Sequence, residues 1–154
     1  MQLRTLQSTD HANWQQLWQA YQGFYQVAFN AELAQRTFSR LLDPQSGMGC
    51  QVIEHEQQLV ALVHYVFHPS TWTPEDYCYL QDLFVSPAYR AQGLGRQLIE
   101  AVYSVAETQK CSRVYWLTHE SNTSARSLYD QVADHVLLVA RGDNRRIAVQ
   151  RGGL

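Results

Sequence analysis

The chain is predicted to fold as α+β (mixed α/β): a central, mostly antiparallel sheet, helices on both faces, and one parallel crossover pair. Three observations predict it. Apolar residues alternate along some stretches and recur at helical spacing along others, in the order β-α-α-β-β-β-α-β-α-β-β. Short turn segments at Glu56-Gln57 and Gly142-Asp143-Asn144 place neighbouring strands at hairpin spacing. Tyr77–Val85 and Arg113–Leu117, by contrast, are separated by a whole helical stretch, as a parallel crossover requires.

Each element has its own local warrant. Gln2 to Leu6 alternates and reads as a first strand. Asp10 stands where a helix N-cap is wanted, and Trp14, Leu17, Trp18 and Tyr21 recur at helical spacing to a helix end near Gly23. Asn30 is placed to cap a second helix, with Leu33, Thr37, Phe38 and Leu41-Leu42 on one side. Asp43 to Gly47 is turn chemistry. Gln51 to Glu54 and Leu59 to Phe67 read as a hairpin. Pro69 and Pro74 bound a loop, since proline cannot continue a strand interior. Tyr77 to Val85 is the next strand, and a helix from about Gly93 to Gln109 buries Leu94, Leu98, Ile99, Val102, Val105 and Ala106. Arg113–Leu117 is a strand, Thr123–Ala133 a helix, and Val136–Ala140 with Arg146–Val149 two closing strands.

Composition bounds the function classes. At 154 residues, one domain spanning 1–154 is expected. Hydrophobic residues at 45% and charged residues at 17% describe a globular chain. A net charge of −2 gives no basic footprint, so no nucleic-acid partner is expected. Cys50, Cys78 and Cys111 have neither metal nor redox spacing, and their odd number argues against a disulfide framework. The histidines His11, His55, His64, His68 and His135 have no ligand spacing either, so no metal is expected. The N-terminus lacks an apolar leader core, and no run approaches the ~18 apolar residues of a membrane span. A cytoplasmic chain with no membrane partner is the expectation.

The chemistry is concentrated between Tyr79 and Gln97, YLQDLFVSPAYRAQGLGRQ. A strand, a glycine loop and a helix start, in that order, make a site for phosphate groups. The amides of the loop and first turn have no partner four residues back, and the helix dipole favours a negative charge beside them. No Lys-Ser/Thr pair follows the glycines, which excludes a P-loop. Gly93-Leu94-Gly95-Arg96-Gln97-Leu98 lacks the third small residue of a dinucleotide fingerprint. What remains is Arg90-x-x-Gly93-x-Gly95, preceded by Leu83-Phe84-Val85-Ser86-Pro87.

That block resembles the acetyl-CoA pyrophosphate loop of the GNAT N-acetyltransferase superfamily, whose signature is Q/R-x-x-G-x-G/A. A second block agrees: after the strand Val114–Leu117 come Asn122, Ala125, Leu128 and Tyr129, in the family's N-x-x-A-x-x-[LF]-Y pattern. The wider run Trp116 to Asp130 most resembles the histone/polyamine-type branch. The resemblance covers about Leu80 to Val132, and it implies a sheet whose crossover strands splay apart to hold the pantetheine arm of acetyl-CoA. It further implies that main chain at Leu83, Phe84 and Val85 pairs with that arm. Arg90, Ala91, Gln92, Gly93, Leu94, Gly95 and Arg96 would hold the pyrophosphate, with Asn122, Ala125 and Tyr129 completing the cofactor contacts. After Tyr129 many relatives continue with a Gly-Phe pair, which is absent from Asp130 to Val136 here.

The resemblance implies transfer of acetyl from acetyl-CoA to a primary amine by direct attack, with Tyr129 as the acid that protonates the leaving thiolate. A phenol near pKa 10 is matched to a thiol near 8.5. The ammonium of the acceptor must lose a proton, and two carboxylates are placed to take it or to bind the cationic end. Asp82 sits inside an otherwise apolar strand, where an acid needs a partner, and Glu120 lies just past the next strand. Phe24, Tyr25 and Trp72, in connectors, suit an aromatic wall around a cationic amine. Trp14, Trp18 and Tyr21 are expected in the core, and His119 is a further base candidate. A small-molecule amine acceptor, such as a polyamine or amino compound, is expected. A protein or peptide amine, or a CoA-binding sensor without turnover, is the alternative. Dimerisation is common in the family, so a homodimer is an open expectation.

Overall fold

A computed structural model describes residues 1–119, 127, 128, 131, 135–139 and 146–151. In chain order these form β1 (Gln2–Thr5), α1 (His11–Phe24), α2 (Ala31–Leu42), β2 (Met48–His55), β3 (Gln58–His68), β4 (Tyr77–Val85), α3 (Leu94–Thr108), β5 (Arg113–His119), β6 (His135–Val139) and β7 (Arg146–Arg151). Ser127, Leu128 and Gln131 are helical, inside the predicted helix 123–133; the rest of that prediction lies outside the described residues. The order of the described elements is the one the periodicities predict for them.

Among the described residues the strands form one sheet in the order β1-β2-β3-β4-β5-β7-β6. Only β4 and β5 pair parallel, through α3; the other neighbours are antiparallel. The β2–β3 hairpin turns on Glu56 and Gln57, at φ +50° and +62°, the two left-handed positions whose twist suits a two-residue hairpin.

The two faces of the sheet carry separate cores. Leu94, Leu98, Ile99, Val102 and Ala106 of α3 pack on Ala61, Val63, Tyr65, Cys78, Leu80, Val114 and Trp116. Trp14 and Leu17 of α1, with Ala34, Phe38 and Leu41 of α2, pack on Cys50, Val52, Leu62 and Phe84. Asn30 caps α2 as predicted, its Oδ1 accepting the Leu33 N–H at 2.9 Å.

The first helix ends at Phe24, near Gly23 as predicted. Local expectations are corrected at two places. Leu33 is 54% exposed, so the buried stripe of α2 is Ala34, Phe38 and Leu41. Asp10 does not cap α1: its carboxylate is buried against the Arg4 guanidinium, at 2.7 and 2.8 Å, and accepts the Gln7 N–H at 2.8 Å. Arg4 also reaches Glu54, its Nε 2.9 Å from Oε2, so one guanidinium ties β1 to β2 and to the turn before α1.

Candidate active site

The site is built where β4 and β5 part. Their paired register is Tyr77 to Tyr79 against Arg113 to Tyr115. Beyond it β4 continues to Val85 and β5 to His119, a wedge without β4–β5 pairing. In a strand, successive backbone groups point to alternate sides, so half of those from Leu80 to Val85 face the wedge while the rest pair with β3. The sheet therefore presents an unpaired edge indoors, suited to an extended, amide-bearing chain.

The glycine loop lies at the wide end of this wedge. Ala91 and Gly93 both adopt positive φ, +58° and +78°, which curls the chain into the start of α3. The first helical bond is Gln97 N–H to Gly93 O at 3.1 Å. The amides of Leu94, Gly95 and Arg96 thus have no intrahelical acceptor. A Cβ built on Gly93 meets no heavy atom within 4 Å, so open space adjoins the loop. At Gly95 the same construction reaches Leu128 Cδ2 at 3.3 Å and Leu83 Cδ2 at 4.0 Å, so this glycine lets α3 approach the following helix and β4. Arg90 turns back to the strand: its Nε donates to the Val85 carbonyl at 3.1 Å, and its guanidinium lies 5.9 Å from the Phe84 ring centre.

A β-bulge decides where Asp82 points. His64 pairs with Asp82 but Tyr65 pairs with Leu80, leaving Gln81 as the extra residue. Cross-strand partners share a face, and the insertion shifts the alternation of β4 by one. Leu80 faces α3, whereas Asp82 and Phe84 face α1. Asp82 Oδ2 there meets His64 Nδ1 at 3.1 Å, and His64 Nε2 meets the Trp14 indole N–H at 3.0 Å. The Tyr21 hydroxyl is the other neighbour of this carboxylate. Burial, followed by the negative charge of Asp82, pushes the Tyr21 phenol well above its ordinary value.

An aromatic wall leads outward from Asp82. Trp18 and Tyr21 stack at 5.4 Å, Tyr21 meets Tyr25 at 5.1 Å and Phe84 at 5.7 Å, and Phe24 meets Tyr25 at 5.2 Å. Phe24 is 62% exposed and Tyr25 43%, so the wall ends in solvent. Where β4 and β5 part, Tyr79 stacks on Tyr115 at 5.0 Å.

Residues 14–133 match the family described as the Acetyltransferase (GNAT) family. The chain belongs to the GNAT acetyltransferase family. D-amino-acid N-acetyltransferase HPA3 of Saccharomyces cerevisiae is 35% identical to this GNAT chain over 145 residues, 91% of this chain and 90% of that protein. Thialysine N-epsilon-acetyltransferase of Sus scrofa is 37% identical over 78 residues, 51% of this chain and 45% of that protein. Among solved structures, PaiA N-acetyltransferase from Thermoplasma acidophilum in complex with coenzyme A superposes with a TM-score of 0.67. It is 10% identical, covering 99% of this chain and 98% of that one, a likeness of fold. The protein is thus an N-acetyltransferase acting on amines, and the GNAT fold uses acetyl-CoA.

The GNAT fold brings together most of the residues singled out in the sequence. Leu83, Phe84 and Val85 line the wedge, Ala91 to Gly93 form the loop and Leu94 to Arg96 the first turn of α3 beside it, and Phe24 and Tyr25 close the wall that starts at Asp82. It does not bring Trp72 to Asp82: Tyr77 already lies five residues along β4, roughly 16 Å away, and Trp72 lies beyond it, 84% exposed. Glu120, Asn122, Ala125 and Tyr129 lie outside the described residues. Trp14, Trp18 and Tyr21 belong to the core as predicted; the contacts of Trp14 with His64 and of His64 and Tyr21 with Asp82 were not read from the sequence. The spacing of the three aromatics reads as core, and Trp14 is fully buried, but the stripe 14-18-21-25 runs from the core out to the carboxylate.

The thiols stay protonated. Burial pushes Cys50 far up and Cys78 up to about 12, and Cys111 is raised for the same reason. A thiolate nucleophile has no support among them. Among the described residues no three His, Cys, Asp or Glu side chains group as metal ligands. Nor is any described helix long and apolar enough to cross a membrane.

Proposed function

We propose that residues 1–154 act as a single N-acetyltransferase domain that acetylates the primary amine of a small amino compound. The observation that carries this reading is Asp82, a mostly buried carboxylate placed by the Gln81 bulge beside the open edge of β4 and at the inner end of an aromatic wall. A carboxylate in contact with Tyr21, which in turn packs on Tyr25, suits a primary ammonium through charge and cation–π attraction. The named activities of the two relatives, on D-amino acids and on thialysine, support an amino-acid-like acceptor beside the polyamine expected from the histone/polyamine-type branch.

On this reading the amides at Ala91–Arg96 hold the pyrophosphate of acetyl-CoA, and the freed backbone groups at Leu83–Val85 pair with its pantetheine arm. Acetyl-CoA supplies a thioester carbonyl. Asp82 binds the acceptor's ammonium and takes its proton, directly or through water, while Glu120 is the competing base. The neutral amine nitrogen attacks the carbonyl carbon, the carbon–sulfur bond breaks, and Tyr129 protonates the departing sulfur. A main-chain N–H near the end of β4 stabilises the oxyanion. Positioning of the two reactants supplies the remaining rate.

The test is steady-state release of CoA thiol from acetyl-CoA, measured over D- and L-amino acids, thialysine, polyamines, aminoglycosides and N-terminal peptides. The reading expects amine-dependent turnover on a small cationic amine, with Asp82→Asn lowering kcat/KM for that amine by roughly tenfold or more. Turnover on peptides alone would overturn it.

A further inference from the structure

Asp82 is held from behind by a relay with a fixed direction. The Trp14 indole carries a donor and no acceptor, so its N–H, 3.0 Å from His64 Nε2, makes that ring nitrogen the acceptor. A ring nitrogen that accepts carries no proton. The proton of neutral His64 therefore sits on Nδ1 and is donated to Asp82 Oδ2, 3.1 Å away. An imidazolium here would set two N–H groups against each other across the Trp14 contact. The ring cannot swing to escape that choice: it lies between Trp14 and Trp18, with centres 5.9 and 5.0 Å away. The His64 side chain is 4% exposed and that of Asp82 14%, so the relay runs from a dry interior to the edge of the site.

We propose that Trp14 and His64 are positioning residues for the acceptor: together with the Tyr21 hydroxyl they fix the orientation in which the Asp82 carboxylate meets the incoming ammonium. The inference rests on the reading of Asp82 as the acceptor anchor. An ionised carboxylate with one oxygen occupied by a neutral N–H donor keeps its full charge and loses its freedom to rotate. The bulge brings Asp82 to this face, and the relay sets its angle there. Since Trp14 comes from α1, His64 from β3 and Asp82 from β4, the same contacts register the helix against the bulged strand.

Two measurements on the intact protein test this. Long-range proton–nitrogen NMR of histidine-labelled protein near neutral pH is expected to show one neutral histidine in the Nδ1–H tautomer, lost on His64→Asn. An Nε2–H tautomer or an imidazolium at His64 would overturn the relay, whether or not any variant folds. Kinetically, His64→Phe is expected to raise the amine KM roughly tenfold and leave the acetyl-CoA KM within about twofold, with partial recovery in His64→Asn, which keeps an N–H donor. Trp14→Phe is expected to release the tautomer and raise the amine KM less. Asp82→Asn separates the two ideas. An unchanged amine KM there defeats the anchor reading and the relay with it. A raised amine KM there with an unchanged one in His64→Phe defeats the relay alone.

Discussion

Gly93 and Gly95 stand two positions apart in one motif and differ in role. A methyl on Gly93 touches nothing within 4 Å, yet its φ of +78° is strained for any L side chain. Its requirement is conformational, and it directs the following amides. Gly95 has an ordinary φ and a steric requirement, since Leu128 Cδ2 stands 3.3 Å from where a Cβ would be. The two substitutions should therefore separate. Gly93→Ala is expected to cost about 1–2 kcal/mol where the left-handed turn persists and to weaken CoA binding measured by calorimetry. Gly95→Ala should displace the helix carrying Leu128 and lower the melting temperature first. Equal loss of affinity with no loss of stability in both would contradict this division. The glycines and Arg90 were legible in the letters because a motif fixes residue types at fixed spacing. Asp82 was legible as an acid in an apolar strand. Its partners were not, because His64 lies eighteen residues away and Trp14 fifty from His64, and no local periodicity reports such contacts.

At the level of elements, hydrophobic period matches each helix and strand, and connection length the one parallel pair, among the described residues. The bulge at Gln81 escaped, since nothing in Leu80-Gln81-Asp82 marks an inserted residue and its effect shows only against the β3 register. The N-cap assigned to Asp10 failed for a related reason: an ion pair with Arg4 on β1 outweighs the short-range cap. That pair makes a prediction about acid. The Arg4 hydrogen bond leads the effects that hold Asp10 below its ordinary pKa of 3.8, against burial. A carboxyl with a depressed folded value contributes stability that is present above 3.8 and lost as pH falls from there through the folded value. Asp10→Asn should thus lower stability by about 1–3 kcal/mol at neutral pH, where Arg4 keeps Glu54 as its ion-pair partner among the described residues. The deficit should shrink as pH drops below 3.8. Denaturant unfolding at pH 7 and pH 3 checks it, and a deficit independent of pH would show that shape, not charge, dominates.

Across the whole molecule the sheet is one continuous layer with a core on each face, and the function sits where that continuity is interrupted. The wedge between β4 and β5 follows from a parallel pair three residues long whose strands then diverge, a property of the assembled sheet that no stretch of sequence carries by itself. Both cores also enclose acids kept neutral: Cys78 is pushed up to about 12, and Cys50, Tyr21 and Tyr65 are raised, in each case chiefly by burial. The ordinary values are 9.0 for the thiols and 10.0 for the phenols. For groups whose folded values are raised, the native state binds more protons above those ordinary values than the unfolded chain does. Their contribution is complete below pH 9 and is withdrawn as pH rises toward the folded values, so the fold should loosen between about pH 9 and 12. Cys78→Ala removes one such group from the α3 face and should flatten the decline of stability with pH over that window, even though deletion of the sulfur lowers stability at pH 7. Melting temperatures at pH 7, 9 and 10.5 decide it: parallel declines in wild type and variant would show that Cys78 does not ionise on unfolding in that range. A convergence of the two curves with rising pH is the outcome that burial of a neutral thiol requires.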